Sequence, residues 1–82
     1  MDNAKYIMVE LNGLETPIIF PAYIQHHEMA MNKTVVSAGF VSIGMINDKV
    51  EVEAYGKSVS LRVQARPEDS EILKRTFNLV RV

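Results

Sequence analysis

Val41-Ser42-Ile43-Gly44-Met45-Ile46-Asn47-Asp48-Lys49-Val50-Glu51-Val52-Glu53-Ala54-Tyr55-Gly56-Lys57-Ser58-Val59-Ser60-Leu61-Arg62-Val63 alternates apolar and polar side chains around two turn dipeptides. Period-two alternation is the mark of strands with one buried face. If Asn47-Asp48 turns, Met45 faces Val50, Ile43 faces Val52 and Val41 faces Ala54. If Gly56-Lys57 turns, Ala54 faces Val59, Val52 faces Leu61 and Val50 faces Val63. Both turns select the same face of the middle strand, and a one-residue slip would invert that face. The opposite face pairs Phe40 with Tyr55, Ser42 with Glu53 and Glu51 with Arg62. The reading is a three-stranded antiparallel meander over 34 to 46, 49 to 55 and 58 to 65.

Upstream, Ile7, Val9 and Leu11 share a face, Asn12-Gly13 suits a two-residue turn, and Leu14, Thr16, Ile18 and Phe20 follow in phase. The hairpin sets Leu11 opposite Leu14, Val9 opposite Thr16 and Ile7 opposite Ile18. Pro17 cannot donate to a ladder, which makes 14 to 20 an edge strand. Between hairpin and meander, Phe20, Ile24, His27 and Met31 recur at helical spacing, so a short helix is expected after Pro21. Downstream the period changes again. Pro67 fits a first helical position, Glu68, Asp69 and Glu71 complement the positive helix end, and Lys74 and Arg75 the negative one. A helix over 67 to 77 is predicted, with Ile72, Leu73 and Phe77 facing Val50, Val52, Leu61 and Val63 of the sheet, and Glu71 and Arg75 on the wet side.

The fold expected is therefore α+β: an N-terminal hairpin, a short middle helix, a three-stranded meander and a C-terminal helix packed on one sheet face. The 82 residues carry no linker or repeat and read as one small domain, 1 to 82. At 48% hydrophobic the chain is too apolar for disorder, yet so short a domain buries only about 60 to 65% of its unfolded surface. Oligomerisation, with a dimer favoured, is accordingly expected. The tail Asn78-Leu79-Val80-Arg81-Val82 ends apolar with no helix left to bury it and is offered as a strand-adding or packing segment.

Zero cysteines remove disulfide frameworks, cysteine zinc sites, iron–sulfur clusters and thiol catalysis, and suit a reducing cytoplasm. The N-terminal residues lack a basic segment followed by an apolar core, and no apolar run approaches the ~18 residues of a membrane span. A soluble, unexported, cytoplasmic protein without membrane contact is expected.

His26-His27-Glu28 is the one histidine cluster, but adjacent ligands diverge on a helix, whereas metal pairs need a spacing of three or four. One histidine against the sheet and the other in solvent is the simpler reading. Gly56-Lys57-Ser58 lacks the glycine five positions earlier that a phosphate loop requires. No nucleophile, oxyanion hole or cofactor cradle is legible, so neither an enzyme nor a cofactor is expected.

Two surfaces remain. Tyr23, Ile24, Met29 and Met31, with Leu79 and Val80 of the tail, could form an adaptable protein interface, since methionine repacks readily. Arg62, Arg66, Lys74 and Arg75 could form a basic patch for nucleic acid. Nine basic against ten acidic residues, and Glu68, Asp69 and Glu71 on the same helix, count against it.

The stretch from Val36-Ser37-Ala38-Gly39-Phe40-Val41-Ser42-Ile43 through Tyr55-Gly56-Lys57-Ser58-Val59-Ser60-Leu61 to Arg66-Pro67-Glu68-Asp69-Ser70 resembles small uncharacterised proteins of tailed bacteriophage genomes. The resemblance implies an accessory viral role in a host cytoplasm and no catalytic residues. The expected function is a non-enzymatic protein-binding or assembly module that occupies a host or viral protein surface. The alternative is a small nucleic-acid-contacting regulator.

Overall fold

A computed structural model describes residues 4–80, side chains of 78–80 excepted. The fold is α+β. Its elements are β1 (Ala4–Leu11), β2 (Leu14–Pro21), α1 (His26–Ala30), β3 (Val35–Ile46), β4 (Lys49–Tyr55), β5 (Lys57–Ser58), β6 (Val63–Gln64) and α2 (Pro67–Val80). Four strands form an antiparallel sheet in the order β2-β1-β3-β4, and β5 and β6 pair separately.

The two-residue turns hold the register expected of them. Leu11 faces Leu14, Val9 faces Thr16 and Ile7 faces Ile18; Met45 faces Val50, Ile43 faces Val52 and Val41 faces Ala54. Asn12 and Gly13 in one turn, and Asn47 and Asp48 in the other, all have positive φ, as a hairpin turn matched to strand twist requires. β2 is an edge strand. Counting alternate pairs from Leu11 and Leu14, Pro17 opposite Met8 and Pro21 opposite Ala4 fall where the backbone nitrogen faces away from β1. Neither proline costs the ladder a hydrogen bond, and both remove outward donors from the edge.

β1 is central and buried on both sides. Ala4, Tyr6 and Met8 join Val41, Val50, Val52 and Leu73 in one core under α2. Ile7 and Val9 join Phe20, Ala30 and Ala38 in a second core under α1. Leu73 is buried, with Ile72 and Phe77 packed around it, so the predicted stripe of α2 does cover Val50 and Val52.

The third meander strand is corrected. Ala54 does not face Val59, and Glu51 meets Lys74 of α2 at 3.3 Å rather than Arg62. β4 ends at Tyr55 opposite Phe40. The chain then bends at Gly56 to form the β5–β6 pair alongside β3, and Ala65 donates its N–H to the Gly56 carbonyl at 3.0 Å. Leu61 and Val63 pack in the second core, not under α2. The reason is local: Ser58 Oγ accepts the Leu61 N–H at 3.2 Å, the Ser58 carbonyl accepts the Arg62 N–H at 2.9 Å, and Arg62 takes φ 59. These bonds curl 58–62 into a tight turn where a strand had been expected.

Gly56 has φ +78, and a Cβ there would stand 3.1 Å from Phe40 Cδ2. Gly56→Val should therefore lower stability by about 1 to 3 kcal/mol, through left-handed strain and crowding of Phe40 rather than through hairpin register. Urea unfolding checks this; a midpoint equal to the parent's would refute it.

Both helices depart from their expected bounds. The middle helix is confined to five residues, because Ile24 donates to the Pro21 carbonyl in a turn and Met31, at φ 46, ends the helix. The face expected from Phe20, Ile24, His27 and Met31 is out of phase: His26 is buried while His27 and Met31 are exposed. α2 runs past residue 77 to Val80, so 78–80 are helical rather than a strand-adding tail.

Candidate binding groove

The concave surface richest in functional groups lies where four segments converge. Phe40 on β3 and Tyr55 on β4 are cross-strand partners whose rings stack with centroids 5.9 Å apart. His26 meets Phe40 edge to face at 5.8 Å and Phe20 likewise at 5.6 Å. Such aromatic pairs add about 0.5 to 1.5 kcal/mol beyond their buried area. Gln25 and His26 form one wall, Lys57, Val59 and Ser60 the other, and Lys5 the β1 end of a groove of about 480 Å³.

Backbone closeness builds this wall. A Cβ on Gly39 would stand 2.5 Å from the Tyr55 carbonyl oxygen, so the chain leaving β4 can pass β3 here only beside glycine. The Gly39 carbonyl in turn accepts the His26 Nε2–H at 2.8 Å, pinning α1 to β3. Lys5 Nζ donates to the Ile24 carbonyl at 3.0 Å and holds the segment leading into α1. Glu28 is turned back onto the Gln25 N–H at 3.0 Å.

Burial lowers the His26 pKa, with Lys5 acting in the same direction and the bond to Gly39 opposing them. The folded protein thus holds His26 neutral while the unfolded chain binds a proton near pH 6.5. Stability contributed by neutral His26 is present above that pH and lost as pH falls through the lower folded value. Urea midpoints should decline as pH falls below about 6.5, and His26→Gln should flatten that decline. Equal slopes for the two proteins would refute the assignment.

Of the four basic residues expected to act together, two are ion-paired within the chain. Arg66 binds Asp69 Oδ1 through Nε at 3.0 Å and through NH2 at 2.9 Å, and Glu15 at 2.6 Å. Lys74 pairs with Glu51. Arg75 lies exposed on α2, and Arg62 sits in the β5–β6 turn, lining a hollow that adjoins the groove. Two of the four cations are thus matched to carboxylates within the chain.

Asp69, read from sequence as an acid complementing the positive end of the helix, is fully buried. Tyr6 donates its hydroxyl to Asp69 Oδ2 at 2.6 Å, and the Arg66 backbone N–H donates to the same oxygen at 3.0 Å. Burial pushes the carboxyl up; bonds from Tyr6 and Arg66, with the Ser37 hydroxyl close by, outweigh it and hold the pKa below its usual value. Ser37 Oγ stands outside hydrogen-bond geometry. Burial, then the bond to Asp69, raises the Tyr6 phenol far above its usual range. The bonds to Glu15 and Asp69 hold Arg66 charged.

Of the expected protein interface, Tyr23 and Met31 are strongly exposed, at 84% and 79%, while Ile24 and Met29 pack against the second core. Leu79 and Val80 lie in the last turn of α2, and their side chains are outside the described residues. His26 and His27 diverge, one inward and one outward, and no group of three potential metal ligands occurs among the described residues. Among those residues no helix is long and apolar enough to cross a membrane.

Sequence reasoning paired Phe40 with Tyr55 but missed the groove, because Lys57 was assigned to a two-residue turn and Val59 to a strand, and the phase of α1 was set one residue off. No family model, curated protein or solved structure matches the chain.

Proposed function

We propose that the chain is a non-enzymatic protein-binding or assembly module acting through the side of the sheet that carries α1. The observation that carries the proposal is where apolar surface is left uncovered. Leu11, Leu14, Ile46 and Tyr55 point to this side by register, and Tyr23, Met31 and Val59 lie in the segments bordering it. On the α2 side, Met45 is the counterpart among the described residues. Val59 is 78% exposed and Leu14 71%. Leu11 and Leu14 lie at the β1–β2 turn end of this face and Ile46 at the β3–β4 turn end, so exposed apolar groups recur along its length, an excess over the α2 side that marks an interaction surface.

A phage-accessory context and a cytoplasmic location belong to the proposal and rest on the sequence alone. Self-association belongs to it too, by a changed route. The tail is helical to Val80, β2 is blunted by its prolines and the Ala54 N–H on the other edge strand, β4, is taken by Ser70 Oγ, so the apolar α1 side is the surface proposed to meet a second copy.

The test compares the parent with Tyr23→Asp/Val59→Asp by light scattering and by retention of proteins from a bacterial lysate. A dimer or a retained protein that the variant loses, at unchanged melting temperature, supports the proposal. A parent that is monomeric and retains nothing, or a variant that behaves identically, overturns it.

A further inference from the structure

We infer that the groove between α1 and the β5–β6 turn receives an acidic protein segment carrying one apolar anchor side chain. This rests on the protein-binding reading above and adds the chemistry of the partner.

The charge of the lining points to carboxylates. Lys5 and Lys57 line the groove and, among the described residues, no Asp or Glu does. The adjoining hollow beneath the same turn adds Arg62, again without a carboxylate. The whole chain has ten acidic residues against nine basic ones, so two neighbouring concavities free of acid form a local positive surface on a weakly acidic protein. Arg66 and Lys74, by contrast, are matched internally, to Glu15 and Glu51. Lys57 is exposed with no ion pair among the described residues, and Lys5 commits one N–H to Ile24, leaving the rest of its ammonium charge for a partner. Such a field steers an acidic segment and fixes its orientation.

The shape points to an apolar anchor. Val59 and Tyr55 border a wall whose other ring, Phe40, is engaged by His26 and stacked by Tyr55. The rings present a fixed apolar wall rather than separated faces between which bases could insert, which favours a peptide side chain over a nucleobase.

The experiment titrates the isotopically labelled full chain with capped pentapeptides in which Leu, Phe or Trp is flanked by glutamates. A matched set flanked by lysines and an oligothymidylate serve as competitors. The expected result is shifts at Phe40, Tyr55, Lys57 and Val59, with about tenfold tighter binding than the lysine set and weakening as salt rises from about 50 to 300 mM. Lys57→Glu should remove about tenfold in affinity, and because Lys57 is exposed the variant should keep the parent's melting temperature. Equal binding of the lysine set, shifts confined to other residues, or no binding at about 5 mM would overturn the inference. Preference for oligothymidylate would overturn it in favour of nucleic acid. If the peptides fail while the Tyr23/Val59 variant still loses a retained protein, this inference fails and the module reading stands.

Discussion

Asp69→Ala should cost about 3 to 5 kcal/mol, the usual penalty for removing one partner from a buried charged pair. An 82-residue domain has only about 4 to 12 kcal/mol in total, so the variant should be largely unfolded or melt far below the parent. The carboxyl is fully buried and serves three groups at once: the Tyr6 hydroxyl on β1, the backbone N–H that opens α2, and the guanidinium that also reaches Glu15 on β2. Without it, Tyr6 keeps a buried hydroxyl lacking its acceptor, worth about 1 to 3 kcal/mol, and the Arg66 N–H that opens α2 loses its acceptor too. Asp69→Asn should lie between, since the amide oxygen can still accept from Tyr6. The folded pKa is depressed, so this contribution is complete above the unfolded value near 3.9 and disappears as pH falls through the folded one. Chemical unfolding from pH 7 to 3 should therefore show a steep acid limb in the parent and a flatter one in Asp69→Asn. An Asp69→Ala protein as stable as the parent at neutral pH would show that the network is ornamental.

Leu73→Ala is the second large effect, about 2 to 5 kcal/mol. Leu73 is completely buried at the centre of α2 against Tyr6, Met8 and the β4 valines, where a cavity would open between helix and sheet. Phe77, one turn later, is only partly buried, so Phe77→Ala should fall below the ~3 to 5 kcal/mol of a fully enclosed ring. The order expected by calorimetry is Asp69 and Leu73 first, then Phe77. From the sequence alone Phe77 outranks Asp69. A larger loss at Phe77 than at Leu73 would mean that the last turn of α2 carries the packing.

What was legible in the sequence was whatever short range decides. Asn12-Gly13 and Asn47-Asp48 admit positive φ at adjacent positions, and that fixes the register of β1 on β2 and of β3 on β4. The α2 stripe follows from spacing in the same way. Gly56-Lys57 carries a comparable signature and misleads, because Ser58 outbids the ladder by bonding the backbone three and four residues on. The buried role of Asp69 was hidden for a different reason. An acid in the first turn of a helix looks the same whether it faces water or a tyrosine brought from 63 positions away. The groove is likewise non-local: Lys5, His26, Phe40 and Val59 come from separate segments, and only the Phe40–Tyr55 pairing was within reach of register arithmetic.

The central place of β1 has a kinetic consequence. β1 and β2 can zip locally through a two-residue turn, but the inner flank of β1 waits for β3, and its upper face waits for the start of α2. The Tyr6–Asp69 bond closes a loop of 63 positions, so its entropic cost is met only after most of the chain is ordered. Refolding should therefore be limited by a late, long-range docking event. Substitutions at the Tyr6–Asp69 contact should speed unfolding far more than they slow refolding, whereas changes in the Asn12-Gly13 turn should act on the forward rate.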